Sequence, residues 1–243
     1  MVRPLQPPTR PIAGGTTWTW QWPATPPPTR SSTTRPWGWC RVYHRSTHTP
    51  DGHTPRTFGP LSRFDQHSPA PTNPTEDPDS RSVLYVGADL ATSACEVFGE
   101  ARVALLCPNI RVALLRPRSP LTCFDLLKPG AAMAIGALPS LSDAPCPRVL
   151  TQHWARAIYE DRPTGQALDG IRYRSAYNGG ESLALWDSTG QIDTINRAID
   201  SDTHEVQDFT LTEPRILRTL LATLPARGIT IDIISSATCP TCP

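Results

Sequence analysis

Residues Ser82–Glu100 read SVLYVGADLATSACEVFGE, an apolar run followed at once by a helical pattern. The run has strand length, and Asp89 is a candidate N-cap for a helix predicted over about residues 90–101. Apolar side chains recur at helical spacing and predict its buried face: Leu90, Ala94, Val97 and Ala101. Glu96 lies well off that face, so we expect it to face solvent or a cleft.

Further strand and helix patterns flank this strand–turn–helix unit. Strand-length runs are RVALLCP (102–108), RVALLRP (111–117), TCFDL around Asp125, GIRYRS (170–175), ESLALW (181–186) and ITIDII (229–234). Helical patterns cover Val149–Glu160 and a segment that begins at Thr212 and ends at Gly228. Together these segments predict a fold of mixed α and β class.

The segment LDGIRYRSA alternates with the period of a strand. Ile171, Tyr173 and Ser175 are predicted on one face, and Arg172 and Arg174 on the other. Ser175 therefore lies on the apolar side, where a hydroxyl group needs a hydrogen-bond partner.

Prolines divide the chain unevenly, with 16 of the 28 before residue 80. Residues 1–36, rich in Pro and Thr, are predicted to be disordered, with a short strand or a partner-docking motif at Trp18, Trp20 and Trp22 as the alternatives. One globular domain is predicted over residues 37–234, interrupted by a polar loop at Ser68–Ser80, and a flexible tail over residues 235–243.

Charge and hydropathy exclude several classes of protein. The 243 residues carry 23 basic and 22 acidic side chains, a net charge of +1, so no basic excess favours direct binding of nucleic acid or a membrane surface. No run of 18 apolar residues and no signal-peptide pattern are present, which favours a cytoplasmic protein.

The seven cysteines are scattered and odd in number, which suits reduced thiols better than a disulfide framework. The closest pair is Cys239 and Cys242 in the terminal CPTCP. One such pair without a second Cys or His pair nearby does not complete a four-ligand zinc site, so no metal site is predicted.

Common catalytic signatures, including GxGxxG, GxxxxGK[ST], HExxH and GxSxG, are missing. The candidates are polar residues in otherwise apolar contexts: Arg41, Arg63, Tyr85, Glu96 and Ser175. Taken singly, each has an ordinary structural explanation, such as a solvated strand face for Arg41 or a solvated helix face for Glu96.

Taken together, the segments that hold these residues resemble the RES domain family. The similar segments are WCRVYH (39–44), LSRFD (61–65), SVLYVGADLATSACEVFGE, TQHWARAIYE (151–160) and DGIRYRSAYNGGESLALW (169–186). By this resemblance the Arg, Glu and Ser that name the family are Arg41, Glu96 and Ser175, the expected catalytic residues. Arg63 and Tyr85 match two further pocket positions and are expected to bind substrate. The Ser68–Ser80 insertion, between Arg63 and the strand that holds Tyr85, departs from the family pattern.

The resemblance implies an α+β fold similar to ADP-ribosyltransferases, with largely antiparallel sheets flanked by helices. It implies an enzyme that destroys NAD by phosphorolysis or hydrolysis, with NAD as substrate, inorganic phosphate as a potential co-substrate and no cofactor. It also implies a toxin restrained by an Xre-type helix-turn-helix antitoxin, through which any DNA contact would be made.

The chemistry fits these residues. Nicotinamide leaves as a neutral molecule, so cleavage needs stabilisation of an oxocarbenium-like ribose, a role for the Glu96 carboxylate. Arg41 and Arg63 are expected to hold pyrophosphate or phosphate, Tyr85 to pack on nicotinamide or ribose, and Ser175 to bind the carboxamide or a phosphate oxygen. The alternatives are a protein ADP-ribosyltransferase and a non-catalytic interaction protein that uses the Trp-rich segment.

Overall fold

The computed structural model describes residues 6–8, 11–21, 39–142, 146–196, 198–199 and 206–242. The strands are β1 Thr17–Trp20, β2 Cys40–His44, β3 Phe58–Gly59, β4 Thr75–Glu76, β5 Val83–Gly87, β6 Val103–Leu106, β7 Ile110–Pro117, β8 Leu121–Asp125, β9 Gly170–Arg174, β10 Glu181–Trp186, β11 Ile192–Asn196, β12 Ala198–Ile199, β13 Val206–Gln207, β14 Phe209–Thr210 and β15 Thr230–Ile233. The helices are α1 Leu90–Phe98, α2 Ala131–Ala134, α3 Arg148–Asp161 and α4 Pro214–Thr223.

Nine of these strands form one mixed sheet in the order β1-β8-β9-β10-β5-β2-β7-β11, with β14 also paired to β7. Within this sheet β8 and β9 run parallel and the other pairs are antiparallel. A separate parallel pair joins β15 to β6. The expected α+β class with largely antiparallel sheets is confirmed.

The β5–α1 unit forms as predicted, and the Asp89 side chain accepts a hydrogen bond from the backbone N–H of Thr92. Gly87, at the end of β5, permits the close approach of the helix, since a Cβ there would lie 2.6 Å from the Ser93 nitrogen. The helix ends at Phe98, and Val97 is 44% exposed instead of buried. The buried face instead runs through Leu90, Ala94, Cys95 and Phe98, which pack in one cluster with α4.

The two similar apolar runs, RVALLCP and RVALLRP, form two strands that belong to different sheets. β6 pairs with β15, and β7 lies in the main sheet between β2 and β11. The alternation of β9 is confirmed, because Ile171 and Tyr173 are buried and Arg174 is exposed. This register directs Tyr173 and the following Ser175 toward the side of the sheet that α1 covers.

The N-terminal segment differs from the expectation of disorder where the structure describes it. Thr17–Trp20 pairs antiparallel with β8, Trp20 is 3% exposed, and Trp18 and Trp20 both pack on Trp39. The alternation of Trp and Thr, which places apolar side chains on one face, outweighs the proline density around it. Trp22 and residues 22–38 lie outside the described residues.

The C-terminal segment also differs from the flexible tail that was expected. A short 3₁₀ turn at Ser236–Thr238 follows β15, and Cys239 is buried against the cluster that holds α1 and α4. In the described part of the chain, no helix has the length and apolar character needed to span a membrane.

Candidate active site

A cleft of about 610 Å³ opens between β2, β5 and α1. This volume lies within the range of ~300–1,000 Å³ that is usual for small-molecule sites. Its walls include four of the five residues singled out in the sequence: Arg41, Arg63, Tyr85 and Glu96. The fold thus gathers side chains that are up to 55 positions apart onto one cavity.

The cleft exists because β2 and β5 separate after a single pair of residues, Cys40 and Gly87. Beyond that pair β2 follows β7 alone, over the whole of Cys40–His44. The hydroxyl of Ser93 on α1 accepts a hydrogen bond from the Val42 N–H at 2.7 Å. Ser93 therefore satisfies a buried backbone donor beside the cleft and fixes α1 against β2.

Glu96 lies in the cleft wall, three residues after Ser93 on α1. Its Oε2 accepts a hydrogen bond from the hydroxyl of Tyr173 at 3.3 Å, and its buried Oε1 has no hydrogen bond of good geometry to any residue that the structure describes. Burial raises the pKa of this carboxyl group, while Ser175, Arg63 and Tyr173 oppose the rise by favouring the charged form. A poorly solvated carboxylate of this kind interacts strongly with a positive charge that develops beside it.

Ser175 is close to Glu96 but is not among the residues that line the cleft. It is 4% exposed, and its hydroxyl oxygen accepts a hydrogen bond from the Tyr177 N–H at 3.3 Å. This placement does not support the expectation that Ser175 binds the carboxamide or a phosphate directly. The geometry suits a positioning residue behind the Glu96 carboxylate.

Arg63 presents an incompletely satisfied guanidinium group to the cleft. Its Nη1 donates to the Arg174 carbonyl at 3.3 Å, while its buried Nε and Nη2 have no hydrogen-bond partner among the described residues. The guanidinium carbon lies 5.6 Å from the centre of the Tyr173 ring. Two free donors on one planar group match the two oxygens of a phosphate.

The loop that carries Arg63 is held from several sides. The buried Asp65 carboxylate accepts hydrogen bonds from two N–H groups of this loop at 2.5 and 2.9 Å. The same carboxylate also accepts the Tyr85 hydroxyl at 2.7 Å and the Arg56 guanidinium at 2.7 Å. Trp186 donates its indole N–H to the Phe64 carbonyl. These bonds fix the loop, so Arg63 is preorganised.

Tyr85 has no free hydroxyl to offer a ligand. The group donates to Asp65 and accepts from the Phe64 N–H at 3.0 Å, and burial followed by the Asp65 charge raises its pKa well above the ordinary value. The Tyr85 ring, which lies edge-on to Tyr173, is the part that faces the cleft. The packing of Tyr85 on nicotinamide or ribose stays a prediction.

Arg41 also lines the cleft and is anchored through its Nη1, which donates to the Thr54 carbonyl at 2.6 Å. Burial lowers its pKa to about 10, so the guanidinium is still charged at neutral pH. The loop that holds it is fixed in turn by Asp208, which accepts hydrogen bonds from the Gly52 N–H and the Tyr43 hydroxyl. Arg41 therefore gives the cleft a second fixed positive charge.

Several residues of the site were not singled out in the sequence: Ser93, Asp65, Tyr173 and Tyr177. The strand alternation contained a signal for Tyr173, since it placed this residue on the same face as Ser175. Asp65 and Ser93 carry no comparable signal, because their roles depend on backbone groups from other elements.

Comparisons with known proteins identify the family of this chain. The family model described as the RES domain matches residues 35–226. A chain in the crystal structure of the M. tuberculosis MbcT–MbcA toxin–antitoxin complex is similar, with 15% sequence identity and a TM-score of 0.45, over 76% of this chain and 89% of that chain. No curated protein matches at a significant level. Since the family match covers most of the sequence, the chain belongs to the RES domain family.

Proposed function

We propose that this protein cleaves the bond between nicotinamide and ribose in NAD and transfers the ADP-ribose to inorganic phosphate or water. The observation that carries the proposal is the pairing, in one cleft, of the poorly solvated Glu96 carboxylate with the free donors of Arg63. The Glu96 carboxylate offers a negative charge to the ribose, and the Arg63 guanidinium offers a positive charge and hydrogen-bond donors to a phosphate. Arg41 supplies a second cation in the same cleft.

In this proposal the bond between ribose C1″ and the pyridine nitrogen breaks, and its electron pair stays with the departing neutral nicotinamide. Glu96 stabilises the positive charge that develops on the ribose and accepts a hydrogen bond from a ribose hydroxyl. A phosphate or water oxygen then bonds to C1″, giving ADP-ribose 1″-phosphate, or ADP-ribose and a proton. Tyr173 and Ser175 hold the carboxylate in place.

The test compares nicotinamide release by the wild-type protein, Glu96→Gln and Glu100→Gln. Glu100 lies four residues further on, in the turn after α1, is exposed and pairs with Arg148 at the rim of the cleft, so it is a matched control. We expect Glu96→Gln to lose about 100-fold or more of the turnover, as when one electrostatic stabiliser is removed, and Glu100→Gln to stay near the wild type. Equal turnover by all three proteins would contradict the proposal.

The acceptor is identified by the same assay with and without inorganic phosphate. Strict dependence on phosphate identifies a phosphorylase, and indifference identifies a hydrolase. Labelled NAD that leaves no mark on protein excludes a protein ADP-ribosyltransferase.

We also propose a toxin role in the cytoplasm, with an Xre-type antitoxin as partner; membership of the RES family supports this role. Expression of the wild-type chain and of Glu100→Gln is then expected to deplete cellular NAD and halt growth. Expression of Glu96→Gln should do neither. Growth arrest that persists with Glu96→Gln would mean that toxicity does not depend on NAD cleavage.

A further inference from the structure

Four metal-ligating side chains that the proposed chemistry does not use meet at the end of the sheet where the C-terminal segment returns: His44, which also borders the cleft, Cys107, Cys239 and Cys242. One ligand atom from each lies within 4.8 Å of all the others. His44 Nε2 is 3.3 Å from Cys242 Sγ and 3.9 Å from Cys239 Sγ, and the sulfurs of Cys107 and Cys242 are 3.6 Å apart. We propose that these side chains bind one structural zinc ion.

The distances fit four-coordinate zinc. Around a tetrahedral ion with zinc–sulfur bonds near 2.3 Å, two sulfur ligands lie about 3.8 Å apart, and three Cys with one His is a common structural set. The observed sulfur separation is close to this value and far from the ~2.05 Å of a disulfide. Four protein ligands leave no open position, so the ion has a structural role.

Backbone pairing brings the ligands together from distant parts of the chain. His44 ends β2 and pairs with Ile110, the first residue of β7, so it adjoins the turn between β6 and β7 that begins at Cys107. The parallel pairing of β15 with β6 aligns Ile233 with Leu106 and delivers the C-terminal segment to the same turn. The 3₁₀ turn after β15 then brings the CPTC segment back over it.

Neighbouring polar groups are placed to support thiolate ligands. The Asn109 side-chain amide donates to Cys242 Sγ at 3.3 Å, and the Thr241 hydroxyl lies 3.2 Å from Cys239 Sγ. Donors of this kind orient metal-bound sulfur and offset part of its charge. Cys107 is fully buried, whereas His44 and Cys242 are half-buried, so the ion has access from the surface.

The sequence predicted no metal site because it shows one CxxC pair and the other two ligands are far away in the chain. Cys242 is 198 positions from His44 and 135 from Cys107, so only the folded sheet completes the set. The ion would tie the C-terminal segment to the end of β2. That strand also carries Arg41, so the zinc site braces one wall of the cleft.

The test measures zinc by elemental analysis in the full-length protein purified under reducing conditions. We expect about one zinc ion per chain in the wild type and in Cys146→Ser, whose half-buried thiol lies outside the cluster. Cys107→Ser, Cys239→Ser and Cys242→Ser should each lose most of the metal. Zinc-free wild-type protein that also fails to bind added zinc would overturn the proposal.

A second measurement does not depend on the folding of the variants. Wild-type protein loaded with Co²⁺ should show the visible absorption of a tetrahedral ion with sulfur ligands. Titration with a thiol reagent should release zinc to a coloured chelator as the cluster thiols react. An intact mass that shows a disulfide within the cluster, with no cobalt absorption after reduction, would contradict the zinc site.

Discussion

The buried carboxylate of Glu96 makes the folded protein less stable at neutral pH than a neutral side chain of the same shape would. Burial raises its pKa above the ordinary value of 4.5, so the folded state binds the proton more tightly than the unfolded chain. The stabilisation that comes from this tighter proton binding is fully present below pH 4.5. It is lost as the pH rises through the pKa of Glu96 in the folded state. Functional sites often carry a cost of this kind.

We therefore predict that Glu96→Gln raises the melting temperature at pH 7 while it removes activity. The difference from the wild type should grow as the pH rises above 4.5 and then level off, as thermal unfolding at a series of pH values will show. Glu100→Gln, which changes an exposed carboxylate in the turn that follows the same helix, should show no such trend. A melting temperature of Glu96→Gln that falls with rising pH relative to the wild type would contradict this assignment.

Arg63 yields a prediction about binding. Arg63→Lys keeps the positive charge but removes the planar guanidinium, whose buried Nε and Nη2 have no hydrogen-bond partner among the described residues and are proposed to bind a phosphate. Each hydrogen bond to a charged group contributes about 1.5–3 kcal/mol, so we expect KM for NAD to rise about 10- to 100-fold with a smaller change in kcat. Steady-state kinetics of Arg63→Lys measure this split.

The control for Arg63→Lys is Arg174→Lys. Arg174 is exposed at the end of β9, and its side chain donates to the Gly179 carbonyl outside the cleft. Its substitution should leave KM near the wild-type value. If both lysine variants raise KM equally, the prediction that the Arg63 guanidinium binds NAD specifically is wrong.

At the scale of single residues, the sequence indicated which side chains meet in the cleft better than it indicated how they are arranged there. The resemblance selected Arg41, Arg63, Tyr85 and Glu96, which all line one cleft. It did not show that Ser175 lies behind Glu96, because that relation depends on how the turn after β9 packs on α1.

Among the elements, the contact between α1 and β2 has the clearest consequence. Ser93 accepts the Val42 N–H that β5 leaves unpaired, in a buried environment. Ser93→Ala leaves this donor without a partner and should lower the free energy of unfolding by about 1–3 kcal/mol. Because α1 also carries Glu96, turnover should fall as well.

Urea unfolding and nicotinamide release of Ser93→Ala check this prediction. Ser142→Ala is a suitable control, since its hydroxyl makes an exposed hydrogen bond to the Pro139 carbonyl. That variant should lose little stability and no activity. Unchanged stability in Ser93→Ala would mean that water replaces the hydroxyl and that the strand separation has another support.

Local patterns predicted most elements, and pairing between distant elements accounts for what they missed. Capping by Asp89 and the alternation of β9 are properties of adjacent residues, so both were visible in the sequence. The assignment of β6 and β7 to different sheets was not, since near-identical sequences have identical local preferences. The separation of β2 from β5, which creates the cleft, is likewise a non-local feature.

For the whole molecule, the main correction concerns the N-terminal segment. Ile12 and Trp20 are buried, and β1 covers the edge of β8. The guanidinium carbon of Arg172 lies 4.7 Å from the centre of the Trp18 ring. Trp18 and Trp20 therefore serve the fold, which weakens the alternative in which they dock a partner. Composition alone suggested disorder because proline density masked a four-residue strand.

This placement changes what a truncation experiment should show. A chain that lacks residues 1–10 loses the Gln6 carbonyl that accepts the Trp154 indole, a loss of about 1 kcal/mol. A chain that lacks residues 1–21 also loses Ile12, Trp20 and the pairing of β1 with β8. Each large apolar side chain contributes about 1.5–3 kcal/mol on burial, so the longer truncation should lose at least ~3 kcal/mol more.

Urea unfolding of the two truncated chains measures this difference directly. The longer truncation also exposes the unpaired edge of β8, so it should aggregate at concentrations where the shorter one stays monomeric, as light scattering will show. Turnover by the molecules that remain folded should persist, since no cleft residue precedes Arg41 in the described chain. Equal stability of the two chains would mean that β1 contributes nothing to the domain, and residues 11–21 would then be dispensable.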